Sequence, residues 1–96
     1  DIGLDDLAAA VNLSPFHFSR MFKQSFGMPP RAYLVRLRIE RACELLETTD
    51  LPVTYIANEV GYSSNQVLAR AFVKQKYVTP SEYRRAVRDP RRARVS

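Results

Sequence analysis

Ninety-six residues suffice for one small domain, or for two half-domains that stabilise each other, and not for two independent domains. Fifteen Lys and Arg against ten Asp and Glu give a net charge of +5, which favours polyanionic partners without choosing between nucleic acid and an anionic membrane. One Cys and one His exclude an intrachain disulfide and a four-ligand structural zinc, and no apolar run or leader marks a membrane span or secretion, so the chain reads as soluble and cytoplasmic.

Asp5, Asp6, Leu7, Ala8, Ala10 and Val11 read as a short helix with carboxylates in its first turn, ended by Asn12, which tolerates a left-handed backbone. Ser14 then serves as N-cap and Pro15 as first helical residue of a second helix, closed by Gly27, Pro29 and Pro30. A long helix follows from about Arg31 to Thr48, with Tyr33, Leu34, Leu37, Ala42, Leu45 and Leu46 available for a core stripe. After Asp50, Leu51 and Pro52 come a helix over Val53 to Val60, a turn over Gly61 to Ser64 and a helix over Asn65 to Lys76. Thr79 or Pro80 opens a last short helix. No alternating run bounded by hairpin turns is present, and the chain reads as all-α.

The pattern is stated twice. Ser14, Arg20, Phe22, Pro30 and Tyr33 recur as Ser64, Arg70, Phe72, Pro80 and Tyr83, and Leu7, Ala8 and Val11 recur as Ile56, Ala57 and Val60. The expected organisation is a first helix-turn-helix in residues 1–29 and a connector helix in 30–49. A second helix-turn-helix with its closing helix occupies 50–86, and a basic tail 87–96. A connector of some eighteen residues spans about 27 Å, close to the roughly 34 Å between successive major-groove segments on one DNA face.

On the first copy's second helix, Phe18, Met21, Phe22 and Ser25 share the side that packs on Leu7 and Val11, while Phe16, Ser19, Arg20 and Lys23 share the other. On that outer side, Arg20 suits a guanine edge or phosphate, Ser19 a base edge or phosphate, and Phe16 a thymine methyl. A solvated face with one stray apolar residue is the plainer reading of the same pattern. In the second copy Leu68, Ala71 and Phe72 take the core side, and Gln66, Ala69, Arg70 and Val73 the opposite side. Asn65 lies near the N-terminal turn. Asn and Gln suit adenine, and Arg guanine, although Asn65 and Gln66 also suit helix capping.

Taken in order, Leu7-Ala8, Ser14 to Lys23, Gly27, Tyr33, Arg38 to Ala42, Leu45-Leu46, Ile56-Ala57, Gly61-Tyr62, Arg70-Ala71-Phe72 and Thr79 to Arg84 resemble the DNA-binding domain of the AraC/XylS family of bacterial transcription regulators. The resemblance covers nearly the whole chain. It implies homeodomain-like three-helix units, two helix-turn-helix subdomains joined by a long helix, and base-reading helices at Pro15 to Ser25 and Asn65 to Gln75. The positions matching family DNA contacts are Phe16, Ser19, Arg20, Asn65, Gln66, Val67, Ala69 and Arg70, with Ser14 and Ser64 near phosphates. Tyr62 stands where the family often has Phe, Val73 where it often has Lys, and Tyr77 where Gly is usual. The resemblance also implies a helix ahead of the one near Leu4, so a fragment of a longer protein with apolar surface exposed in the first module is expected. The implied partner is double-stranded promoter DNA, with RNA polymerase and an effector acting through another domain as further candidates.

Cys43 reads as a buried inert thiol, His17 as a boundary residue, and Arg38 as an internal ion-pairing residue. Arg84, Arg85, Arg88, Arg91, Arg92 and Arg94 read equally as phosphate contacts or as a solvated tail. No catalytic constellation, metal set or cofactor motif is evident, and no enzyme activity is expected. The alternatives to a DNA reader are a helical protein-interaction module and the regulatory part of a fused DNA-repair enzyme.

Overall fold

The computed structural model describes residues 4–10 and 12–89. Val11, the side chain of Leu7, and Arg91, Arg92 and Arg94 of the expected tail lie outside the described residues. Six helices follow one another: α1 (Leu4–Ala10), α2 (Pro15–Phe26), α3 (Pro30–Thr48), α4 (Val53–Glu59), α5 (Asn65–Lys76) and α6 (Pro80–Val87). No strand occurs among the described residues, so the all-α expectation holds. The chain divides into two compact units, Asp1–Arg36 and Leu37–Ser96, and the boundary falls inside the 19-residue α3.

Both units make the same helix-turn-helix joint. After α1 the backbone turns through Asn12 at φ +59°, the Leu13 N–H reaching back to the Ala8 carbonyl at 2.9 Å and the Asn12 N–H to that of Ala9 at 3.1 Å. After α4 it turns through Gly61 at φ +101°, with Tyr62 N–H on the Ala57 carbonyl at 2.8 Å and Gly61 N–H on that of Asn58 at 3.2 Å. These paired reverse bonds satisfy carbonyls that a helix end otherwise leaves without donors. Different residues thus meet one backbone requirement.

The following helix starts and stops alike in both units. Ser14 Oγ accepts from the His17 N–H and Ser64 Oγ from the Val67 N–H, each at 3.2 Å. At the far ends Gly27 (φ +79°) and Tyr77 (φ +67°) both take the left-handed conformation, their N–H groups bonding the Lys23 and Val73 carbonyls at 2.8 Å.

The interiors differ. In the second unit Ile39, Ala42, Cys43, Leu45 and Leu46 of α3, Ile56 and Ala57 of α4, Val60 and Tyr62 of the turn, and Leu68 and Phe72 of α5 are buried. In the first unit the only fully buried positions among the described residues are Ala8 and Pro30, and α2 buries none. On the apolar side of α2, Phe18 and Phe22 are half-buried and Met21 and Ser25 exposed, in line with the open apolar surface expected in the first module; the expected packing of these residues on the Leu7 side chain and Val11 lies outside the described residues. The four line an open groove of about 220 Å³ together with Leu13 and Phe26. Met21 is 54% and Phe26 57% exposed. Leu37, expected on the core stripe of α3, is exposed as well, and Ile39 takes the buried position instead.

Arg84 of α6 and the C-cap residue Arg88 take a role that neither expectation for the C-terminal arginines named. Arg84 donates to the carbonyls of Leu46 at 3.2 Å, Leu51 at 2.7 Å and Thr49 at 3.1 Å. Arg88 pairs with Asp50 at 2.6 Å and also bonds the Thr49 carbonyl. Both close the carbonyl end of α3, which has no basic residue in its own last turn. Neither guanidinium is a free phosphate contact.

Candidate nucleic-acid interface

On α2, residues 16, 20 and 23 lie one turn apart along one side. All three side chains, Phe16, Arg20 and Lys23, are exposed, and Ser19 beside them is half-buried. Phe16 is 66% exposed, a large apolar surface to leave in water. The Arg20 guanidinium lies over its ring, 5.6 Å from the centroid, and the His17 ring meets Phe16 edge-on at 6.0 Å. His17 Nδ1 is 2.9 Å from the Ser14 hydroxyl.

On α5, residues 66, 70 and 73 repeat that side as Gln66, Arg70 and Val73, all exposed. Val67 and Ala69 flank them half-buried. Asn65 is half-buried, and its Nδ2 donates a long 3.4 Å bond to Thr54 Oγ1 on α4. Each residue expected in contact with DNA therefore lies on, or directly beside, the exposed side of its own helix. Thr54 was not legible as Asn65's partner, because nothing in the spacing of residues 54 and 65 marks them as neighbours.

Charge is distributed to match. Neither α2 nor α5 contains a carboxylate, whereas α2 carries Arg20 and Lys23 and α5 carries Arg70, Lys74 and Lys76. A polyanion approaching either exposed side meets only cationic and neutral groups of that helix.

At the turn of the second unit, Arg38 packs against Gly61 and Tyr62. Its guanidinium lies 5.2 Å from the centroid of the Tyr62 ring, and its Nε is 3.2 Å from the point a Cβ on Gly61 would occupy. Glycine at 61 thus serves both the positive φ and the close approach of this side chain. The Tyr62 hydroxyl, buried where the family often has Phe, has no hydrogen-bond partner.

The displaced pKa values belong to packing and capping. Burial raises the Cys43 thiol and the Tyr83 phenol, the latter also held up by its hydrogen bond to Glu47. The hydrogen bond from Arg88 lowers the Asp50 carboxyl, and those at Thr79 lower Glu82 in the capping box that opens α6. A buried thiol held above its usual range is a poor nucleophile, in keeping with an inert Cys43. Among the described residues no group of His, Cys, Asp or Glu is placed to hold a metal ion, and no helix is long and apolar enough to cross a membrane.

Residues 7–86 match the family model described as a helix-turn-helix domain. The MmsAB operon regulatory protein of Pseudomonas aeruginosa is 40% identical over 85 residues, covering 88% of this chain and 28% of that protein. The DNA-binding domain of AdpA, a global transcriptional factor solved in complex with a target DNA, is 33% identical. It superposes with a TM-score of 0.88 over 92% of this chain and 79% of that one. A transcriptional regulator from Chromobacterium violaceum, described as containing an AraC-type DNA-binding domain, is 31% identical with a TM-score of 0.81 over 93% of this chain and 80% of that one. The chain spans about three tenths of the length of the curated relatives it matches.

Proposed function

The chain belongs to the AraC/XylS family of transcription regulators, and from that premise we propose that it reads double-stranded promoter DNA for a bacterial regulator, with α2 and α5 entering adjacent major-groove segments. The observation that carries the reading is the repetition of one exposed, carboxylate-free helix side with Arg at the same repeat position, Arg20 and Arg70. Serine N-caps, left-handed turns and left-handed C-caps fix both helices by the same bonds, as two copies of one reader require.

In this reading Arg20 and Arg70 bond guanine edges, Gln66 and Asn65 suit adenine, Phe16 takes an apolar base group, and Ser19 a base edge or phosphate. Val67 and Ala69 lie close to the groove surface, and Ser14 and Ser64 stand near phosphates. Residues 1–29 and 50–86 are the two readers and 30–49 the connector. The protein is cytoplasmic and not an enzyme. RNA polymerase and an effector are partners of the whole regulator.

The test is selection from a randomised duplex library, followed by binding of the winner and a scrambled duplex across salt. A reader of this kind prefers the winner by about 10³ or more, with affinity falling as salt rises. Equal binding of both duplexes at every salt concentration contradicts it and favours a protein-interaction module.

A further inference from the structure

Phe16 and Arg20 are not two separate contacts. The guanidinium rests over the aromatic ring at 5.6 Å, so both side chains present a joint surface of cation and ring, although the ring remains 66% exposed. Cation–π contact holds the arginine in one region of the helix surface and leaves the in-plane N–H groups free to bond outward. An arginine that bonds guanine O6 and N7 in the major groove lies beside the C5 position of the pyrimidine on the 5′ side of that guanine. A methyl group at C5 is the one apolar feature any base pair offers there. The face of a guanidinium alone covers it in part; a ring that borders the guanidinium removes it from water more fully.

Resting on the DNA-reading assignment above, we propose that Phe16 and Arg20 form one specificity unit for a 5-methylpyrimidine followed by guanine. It takes 5′-TG-3′ and 5-methylcytosine–guanine alike and discriminates against the unmethylated 5′-CG-3′ step. Thymine and 5-methylcytosine carry the same methyl at the same ring position, and the unit has no group that reads the exocyclic substituent of that pyrimidine. Binding at the first module therefore responds to cytosine methylation. The second module supplies the internal control: Gln66 occupies the position of Phe16, so Arg70 has no ring beside it from that position.

The experiment uses the complete chain and the duplex it selects from a random library. The guanine read by Arg20 is the one whose preference disappears in Arg20→Ala. The base 5′ to it is then varied as thymine, uracil, 5-methylcytosine and cytosine, each with its pairing partner, and binding is followed by fluorescence anisotropy. Each methyl-bearing base binds about fourfold tighter than its unmethylated counterpart, the value of one buried methyl group. Phe16→Ala lowers that difference to the smaller one seen for the same replacements 5′ to the guanine of Arg70, while retaining the guanine preference. Equal binding of thymine and uracil, a methyl effect that Phe16→Ala leaves unchanged, an equal effect at both modules, or a selected step lacking a 5-methylpyrimidine overturns the proposal. If no duplex is selected at all, the DNA-reading assignment itself fails.

Discussion

In the second unit the ring of Phe72 meets Tyr83 at 5.5 Å with Phe72 fully buried; in the first, the matching pair Phe22 and Tyr33 stands at 5.4 Å beside an open apolar groove. The joint is the same and its surroundings are not. Phe26 stacks on Phe22 at 4.3 Å in the first unit, where the second has Lys76. Leu34 stands where Arg84 clamps the end of α3, and Pro29 with Ala32 stand where Thr79 and Glu82 form a capping box. Repetition has kept what sets the path of the reading helix, namely turn, N-cap, C-cap and one ring pair, while the interior behind it has diverged. What a reader must hold constant is backbone geometry, and several packings can deliver it.

The comparison predicts a graded set of stability differences. Phe72→Ala removes a fully buried ring and costs about 3–5 kcal/mol, whereas Phe22→Ala, half-buried beside the groove, costs less than half of that. Amide hydrogen exchange resolved by residue reads the two units separately, and equal losses erase the contrast. Arg84→Leu, which copies the first unit's residue, takes the arginine donor from the Leu46 and Leu51 carbonyls, leaves Thr49 to Arg88, and costs about 2 kcal/mol. No loss of protection around Leu46 to Leu51 in that variant means the clamp is idle.

Exchanging the C-caps sharpens the likeness rather than the difference. Tyr77 holds φ +67° with its side chain 86% exposed, so Tyr77→Gly removes backbone strain and stabilises by about 1 kcal/mol. Gly27→Ala at φ +79° destabilises by about the same amount, although there is open space for its Cβ. Chemical denaturation midpoints moving in the same direction for both variants contradict a shared left-handed cap. Tyr62→Phe deletes a buried hydroxyl without a partner and raises stability by up to about 1 kcal/mol.

The smallest effect is electrostatic. Arg88 holds the Asp50 carboxyl below its usual range, so the pair's contribution is present above the unfolded pKa of about 3.9 and is lost as pH falls through the lower folded value. The difference between the chain and its Asp50→Asn variant therefore shrinks on acidification, in thermal melts across pH 2 to 6. A difference independent of pH shows that the ion pair is not its source.

All six helices were legible in the sequence, because serine caps, prolines at helix starts and left-handed residues at helix ends are local signals that act before packing. The exposed sides of α2 and α5 were legible from the 3.6-residue period and from the repeat. Periodicity names the apolar face of α2, and the family resemblance, not the periodicity, pointed to exposed apolar surface in the first module, where Met21 and Phe26 are exposed. Arginine density near the C-terminus suggested phosphate contacts or a solvated tail, yet Arg84 and Arg88 bond carbonyls more than thirty residues earlier in the chain. The one local sign was that α3 ends in Thr48 without a basic residue in its last turn, leaving its carbonyls to be satisfied from elsewhere.

The central claim is that two equivalent helices read separate bases, and the most direct measurement is library selection repeated with the unaltered chain, Arg20→Ala and Arg70→Ala. The account predicts two preferred blocks about one helical turn apart for the unaltered chain, with each variant losing preference in one block and keeping it in the other. Uniform weakening on every sequence in both variants, with the preferred blocks unchanged, contradicts it and makes both arginines phosphate contacts only.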